Sequence, residues 1–171
     1  DLILGQHVSP ELLSGTVGIR EGLFMASADE LYLTVNGVGG HAAIPQNNIN
    51  PLKIAAQIIS ALYDKFDPIS DTIMSLGAIE GGTLGNIVPE TVKLKGTFRA
   101  MDEKWRKEAH RVMRTICDTI AEKHGASCNL EIKIGYPFLK NDNVLTAFCK
   151  KEAKLILGAD YVIDIPKRMT A

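Results

Sequence analysis

The order in which hydrophobic periods follow one another between residues 29 and 138 leaves few folds open to this chain. Leu31, Leu33 and Val35 alternate with Tyr32, Thr34 and Asn36, which reads as a half-buried strand over 30–38. Asn50 can cap the helix that follows, and Pro51 suits a first helical position, where the missing N–H is not needed. Leu52, Ala55, Ala56, Ile59, Leu62 and Tyr63 keep helical spacing, predicting an amphipathic helix over 51–65 that Asp67-Pro68 breaks. Residues 72–79 read as an apolar strand suited to burial. After a turn at Gly81–Gly85, Val92, Leu94 and Phe98 alternate with Lys93, Lys95, Thr97 and Arg99, a strand with one wet face. Asp102 can cap a helix over 103–124, with Trp105, Ala109, Val112, Met113, Ile116 and Ile120 on one stripe and Gly125 closing it. Leu130, Ile132 and Ile134 mark the last alternating strand.

That order is βαββαβ. Right-handed crossovers turn it into an α+β sandwich of the ferredoxin-like kind: a four-stranded antiparallel sheet with helices 51–65 and 103–124 on one face. Residues 1–28, punctuated by Gly5, Pro10, Gly15, Gly18 and Gly22, hold at most short extended pieces. A helix over about 142–157 and a short strand at 161–165 follow the sandwich. The expected division is therefore an inserted domain at 29–138, flanked by 1–28 and 139–171 from another domain. The first residues carry neither a basic stretch nor an initiator Met. They read as neither a signal peptide nor a natural start, and we expect a piece of a longer protein.

Charge narrows the partners. Nineteen Lys and Arg against 20 Asp and Glu give a net charge of −1, which argues against nucleic acid or an anionic membrane as the main target. No apolar stretch reaches ~18 residues, so no spanning helix is expected. Cys117, Cys128 and Cys149 form no CxxC pair, and neither a zinc knuckle nor a disulfide framework follows. Cys117 and Cys149 fall on helical segments and read as reduced core thiols, which points to the cytoplasm.

Taken singly, the polar residues say little. His7 and His41 read as loop histidines, Asn86 as a turn asparagine, and Arg99 as a charge on the wet face of its strand. His110 and His124 read as helix residues without chemistry, His124 in a last turn where a cation suits the helix dipole. Ser14, Ser27 and the cysteines lack a nearby base. Gly37, Gly39 and Gly40 precede no Lys-Ser/Thr of a phosphate loop.

In sequence order, however, several short motifs stand together: Met25-Ala26-Ser27-Ala28-Asp29, Gly39-Gly40-His41-Ala42-Ala43-Ile44-Pro45, Asn50-Pro51, Gly81-Gly82, Asn86-Ile87-Val88-Pro89-Glu90 and Gly96-Thr97-Phe98-Arg99. Together they resemble the lid, or dimerisation, domain of the co-catalytic zinc amidohydrolases. That family includes aminoacylases, hippurate hydrolases and glutamate carboxypeptidases. Asn50 departs from the Asp common among relatives, and either residue caps a helix. Gly5-Gln6-His7-Val8-Ser9-Pro10 is similar to a metal-ligand stretch of the bacterial N-acyl-amino-acid branch.

The resemblance implies a metal-dependent hydrolase that cleaves an N-acyl amino acid or a small peptide-like substrate, using two divalent metal ions, zinc in this family. It implies His7 as one metal ligand. It implies His41 as the lid histidine that reaches a partner's site and donates a hydrogen bond to the scissile carbonyl. Asn86 would assist at the same oxygen or at the substrate carboxylate, and Arg99 would bind that carboxylate. The flanks at 1–28 and 139–171 would be remnants of the catalytic domain. An early His or Cys ligand beside an Asp, a Glu-Glu pair and a closing ligand histidine are all missing from this chain. Because a catalytic zinc takes about three protein ligands, no metal is expected on this chain alone, which is expected to be inactive.

Two readings compete. One is a non-catalytic ferredoxin-like module that senses a small molecule or binds a protein. The other, an RNA-binding module, is weak because the strands lack paired aromatics. The hydrolase reading adds an expectation about assembly. Strand 72–79 should lie on a sheet edge beside helix 51–65, and its apolar residues invite pairing. Lids of the family it resembles commonly pair in that way, so a homodimer through these segments is expected.

Overall fold

The computed structural model describes residues 2–170. Its strands and helices run β1 (Val17–Ile19), β2 (Gly22–Met25), β3 (Asp29–Asn36), β4 (Gly40–His41), α1 (Pro51–Phe66), β5 (Thr72–Glu80), β6 (Ile87–Val88), β7 (Thr91–Ala100), α2 (Glu103–Lys123), β8 (Ser127–Ile134), β9 (Leu139–Asn141), α3 (Asn143–Leu157) and β10 (Val162–Asp164). The chain divides into two compact units: one takes in the residues up to Phe24 and Leu139–Arg168, the other Met25–Phe138 and the residues after Arg168.

In the larger unit, β5, β7, β3 and β8 form a four-stranded sheet in that spatial order. All its neighbours are antiparallel, and Leu33 stands between Leu94 and Leu130. This is the βαββαβ sandwich that the periodicity predicts. The reason is visible in the alternation: Leu31, Leu33 and Val35 of β3 and Val92, Leu94 and Phe98 of β7 are all buried. They share one core with Ile54, Ile58, Leu62 and Phe66 of α1 and Ala109, Met113, Cys117 and Ala121 of α2. Phe66 and Phe98 meet edge to face with ring centroids 5.6 Å apart, a geometry that contributes about 0.5–1.5 kcal/mol beyond burial. The Asn50 side chain accepts from the Leu52 N–H, and Asp102 accepts from that of Trp105, so both helices start where their caps stand.

Three details depart from the sequence reading. β3 ends at Asn36 rather than residue 38, because Gly37 turns out of the sheet and donates its N–H to the Glu90 carbonyl at 2.8 Å. β5 is indeed an edge strand, but its apolar sequence is only half used. Thr72 and Met74 are buried, Ile73 and Ile79 are exposed, and the register shifts between Leu76 and Ala78. On α2 the buried stripe runs through Arg106, Ala109, Met113, Cys117 and Ala121. Trp105, Val112, Ile116 and Ile120 flank it and are partly buried. An arginine thus lies where hydropathy places none.

Each edge strand has a backbone group bonded to a side chain from the helix layer. The Tyr63 hydroxyl of α1 accepts from the Leu76 N–H at 3.0 Å, and Arg114 of α2 donates to the Leu130 carbonyl.

In the smaller unit, β1 pairs with β10 in parallel and β2 pairs with β9. Asp142 caps α3, which has no buried residue and exposes Val144, Phe148, Leu155 and Ile156. Cys149, expected in a core, is therefore only half-buried on this helix. No helix among the described residues is long and apolar enough to cross a membrane.

Candidate functional site

His41 stands on a loop whose neck is tied by the sequence itself. Val38 and Ile49 exchange backbone hydrogen bonds of 2.9 and 3.0 Å. Gly37 makes this approach possible, since a Cβ there would lie 2.0 Å from the Ile49 carbonyl oxygen. Beyond the neck, Gly40 and His41 pair with Val88 and Ile87. The Ala42 N–H donates to the Asn86 carbonyl at 3.0 Å. The short β4–β6 ladder therefore brings His41 and Asn86 together. Both residues are exposed.

The His41 ring is partly fixed. Its Nδ1 lies 3.1 Å from the Ala43 backbone nitrogen, which can only donate. Nδ1 is therefore the acceptor, and in the neutral ring the proton sits on Nε2. The Nε2 donor of this exposed ring has no partner among the described residues.

Arg99 lies at the other end of the sheet. It pairs with Ile73 on β5, and its neighbour Phe98 pairs with Asp29, whereas Thr91 at the start of β7 pairs with Asn36. Arg99 lies eight steps along β7 from Thr91, about 26 Å at the usual rise. The structure thus separates Arg99 from His41 and Asn86. Arg99 Nη1 is shielded from solvent and has no hydrogen-bond partner. Among the described residues it is the one buried side-chain polar atom in that position.

Close to that end lies a cluster that sequence reading missed. The Asp29 carboxylate is buried and accepts from Arg106 Nε at 2.9 Å, from the Gly135 N–H at 3.1 Å and from Arg106 Nη2. His110 Nε2 lies 2.7 Å from it. Arg106 also reaches Glu103 at 3.0 Å and the Gly135 carbonyl at 3.2 Å. Burial pushes the Asp29 carboxyl up, but the bonds from Arg106, Gly135 and His110 outweigh it and hold the group below the usual carboxylate range. His110 is thus a structural partner, and His124 bonds Gln57 at 2.7 Å. Only the partners, remote in sequence, could have revealed either role.

His7 is exposed and lies in the smaller unit. Among the described residues no three His, Cys, Asp or Glu side chains gather where a metal ion could be held. The donors present do not make a metal centre on their own. Cys117 is no nucleophile either: its hydrogen bond with Cys128 and its burial push the thiol far up.

Comparison with known proteins places the larger unit in a family. The family model M20_dimer, peptidase dimerisation domain, matches residues 27–125. The chain is 33% identical over 158 residues to the N-acetylcysteine deacetylase of Bacillus subtilis (strain 168), covering 90% of this chain and 42% of that protein. It is 34% identical over 174 residues to thermostable carboxypeptidase 2 of Saccharolobus solfataricus, covering 94% and 44%. Among solved structures, the YXEP protein of Bacillus subtilis, described as a dinuclear metal binding peptidase from the M20 family, superposes with a TM-score of 0.72 at 24% identity, over 96% of this chain and 40% of that one. A tripeptidase from Staphylococcus aureus superposes with a TM-score of 0.75 at 21% identity, over 90% and 42%. At those identities the structures speak for the fold alone. The chain spans less than half the length of the curated relatives it matches.

Proposed function

The chain belongs to the M20 peptidase dimerisation family, and on that premise we propose that it is the lid of a metal-dependent N-acyl-L-amino acid amidohydrolase that works as a homodimer. In this reading the smaller unit is part of the catalytic domain. Two divalent metal ions, zinc in the family it resembles, would have most of their ligands outside this chain, with His7 contributing one. When bound they supply an activated water. The relatives named above are deacetylases, carboxypeptidases and peptidases, which leaves the sensing module without support of its own.

The observation that carries the reading is the orphaned Nη1 of Arg99. A buried donor without a partner costs about 1–3 kcal/mol, and a substrate carboxylate bound by the guanidinium fork would relieve that cost. His41 would donate its Nε2 proton to the carbonyl oxygen of the scissile amide, where charge develops as the carbon becomes tetrahedral. The Asn86 side chain, on the strand-end beside it, would assist at that oxygen.

One small substrate cannot touch both groups on a single lid, because about 26 Å of β7 lies between them. The reading therefore takes Arg99 from one subunit and His41 with Asn86 from its partner, which makes the dimer a requirement for catalysis. Pairing through β5 and α1 is the route proposed, and the exposed Ile73 and Ile79 on that edge support it.

The test uses two full-length variants, His41→Ala and Arg99→Ala, each expected to be nearly inactive on N-acyl amino acids. In a mixed dimer one site then has both residues intact. After subunit exchange the mixture should recover about a quarter of the parental activity, since half the dimers are mixed and each holds one whole site. Proven mixed dimers with no recovery would reject the shared site.

A further inference from the structure

We propose that Asn48 is the positioning residue for His41, fixing the loop that decides which ring nitrogen carries the proton. The inference rests on the catalytic reading of His41 and goes beyond it. Asn48 lies seven residues after His41, inside the neck formed by Val38 and Ile49. Its Nδ2 donates to the carbonyl of His41 at 2.9 Å and to that of Ile44 at 3.2 Å. A single amide thus bridges the two ends of the His41–Ile44 turn, which the Ile44 N–H to His41 carbonyl bond of 3.0 Å closes from within. Inside that turn the Ala43 N–H points at His41 Nδ1.

The chain of cause runs from the amide to the proton. An exposed histidine on a free loop samples both tautomers and several ring orientations. Here the turn holds the Ala43 N–H against Nδ1, which leaves the proton of the neutral ring on Nε2. The turn in turn depends on Asn48, because among the described residues no other side chain bonds its two carbonyls. Gly40 is part of the same device. A Cβ on Gly40 would lie 2.3 Å from Asn48 Oδ1, and the atom in its way belongs to a side chain, so Asn48 would be the group to move. Glycine at this position leaves the space in which the clamp sits.

Two substitutions separate this role from general support of the fold. Asn48→Asp keeps the shape but replaces two N–H donors with an acceptor facing two carbonyls. Gly40→Ala displaces Asn48 without altering it. In full-length protein with 15N-labelled histidine, His41→Ala assigns the His41 ring signals. In the parent these should show an unprotonated Nδ1 and a protonated Nε2. Both variants should move the signals toward a tautomer mixture, lower kcat about tenfold to a hundredfold through misplacement of the donor, and leave KM little changed. Combined with Asn48→Ala, Gly40→Ala should add almost nothing, since the clamp is already gone. Unchanged ring signals in a folded Asn48→Asp protein would overturn the proposal. So would additive losses in the double variant. If His41→Ala itself retained full activity, the catalytic reading would fall, and the ring signals would still decide the role of Asn48.

Discussion

The two ends of β3 treat their polar side chains in opposite ways. At the Asp29 end a guanidinium, an imidazole and the Gly135 N–H all bond one buried carboxylate. Beyond the Asn36 end, the loop leading to α1 fixes one nitrogen of an exposed imidazole and leaves the other without a partner among the described residues. A cluster whose donors and acceptors are consumed internally can stabilise a fold but has nothing left to offer a ligand. A loop rigid in its backbone and unsatisfied at its tip has the reverse character. Arg99 is the informative exception. It lies on the Asp29 side of the sheet and still keeps an unpartnered donor, as a ligand-binding group would.

Breaking the cluster should have the largest effect. Asp29→Ala leaves the buried Arg106 guanidinium without its main partner, and loss of one member of a buried pair costs about 3–5 kcal/mol. Urea denaturation of the chain should show that loss, and a variant as stable as the parent would erase the contrast between the ends. His41→Ala should do the opposite. Its stability should change by less than about 0.5 kcal/mol, as befits an exposed loop residue. Activity of the full-length protein should fall about 10²–10³-fold, the usual result of removing one oxyanion donor. A large drop in stability here would mean that the loop, too, serves the fold.

Acid sharpens the comparison further. Because the Asp29 carboxyl is held below its ordinary value, its unfolded form takes up protons first as pH falls. The stability it contributes is therefore full above a pH of about 3.9 and is lost as pH drops through the lower folded value. Midpoints followed from about pH 5 to about pH 2 should show an acid-sensitive component that Asp29→Asn removes. His41→Ala should leave that component in place. The smallest expected effect concerns the start of α1, just past the loop. Asn50→Ala removes the acceptor of the Leu52 N–H and should lower stability by about 1 kcal/mol. Asn50→Asp should be nearly silent, because either side chain can cap.

The edges carry a related lesson about assembly. β5 looks open from its sequence, yet the Tyr63 hydroxyl already holds the Leu76 N–H, and the register shifts beside it. Such features restrain indiscriminate strand addition. A dimer through this edge would have to pair around that point.

Periodicity by itself determined the order of elements, the antiparallel sheet, both helix caps and β5 as an edge. Each is a local property, set by which face of a strand or helix is apolar and by which residue stands at a terminus. His41, Asn86 and Arg99 were marked not by periodicity but by short motifs that resemble those of a known family. Tertiary structure alone decided who meets whom. Arg106 reads as one more charge on α2 until β3 brings Asp29 beside it, 77 residues away in sequence. His110 read as inert for the same reason, with its partner 81 residues distant. Strand register put His41 beside Asn86 and carried Arg99 to the opposite end of the sheet. Hydropathy encodes the environment that a residue requires, whereas the pairing of polar groups depends on which strands and helices become neighbours, and only the folded chain fixes that.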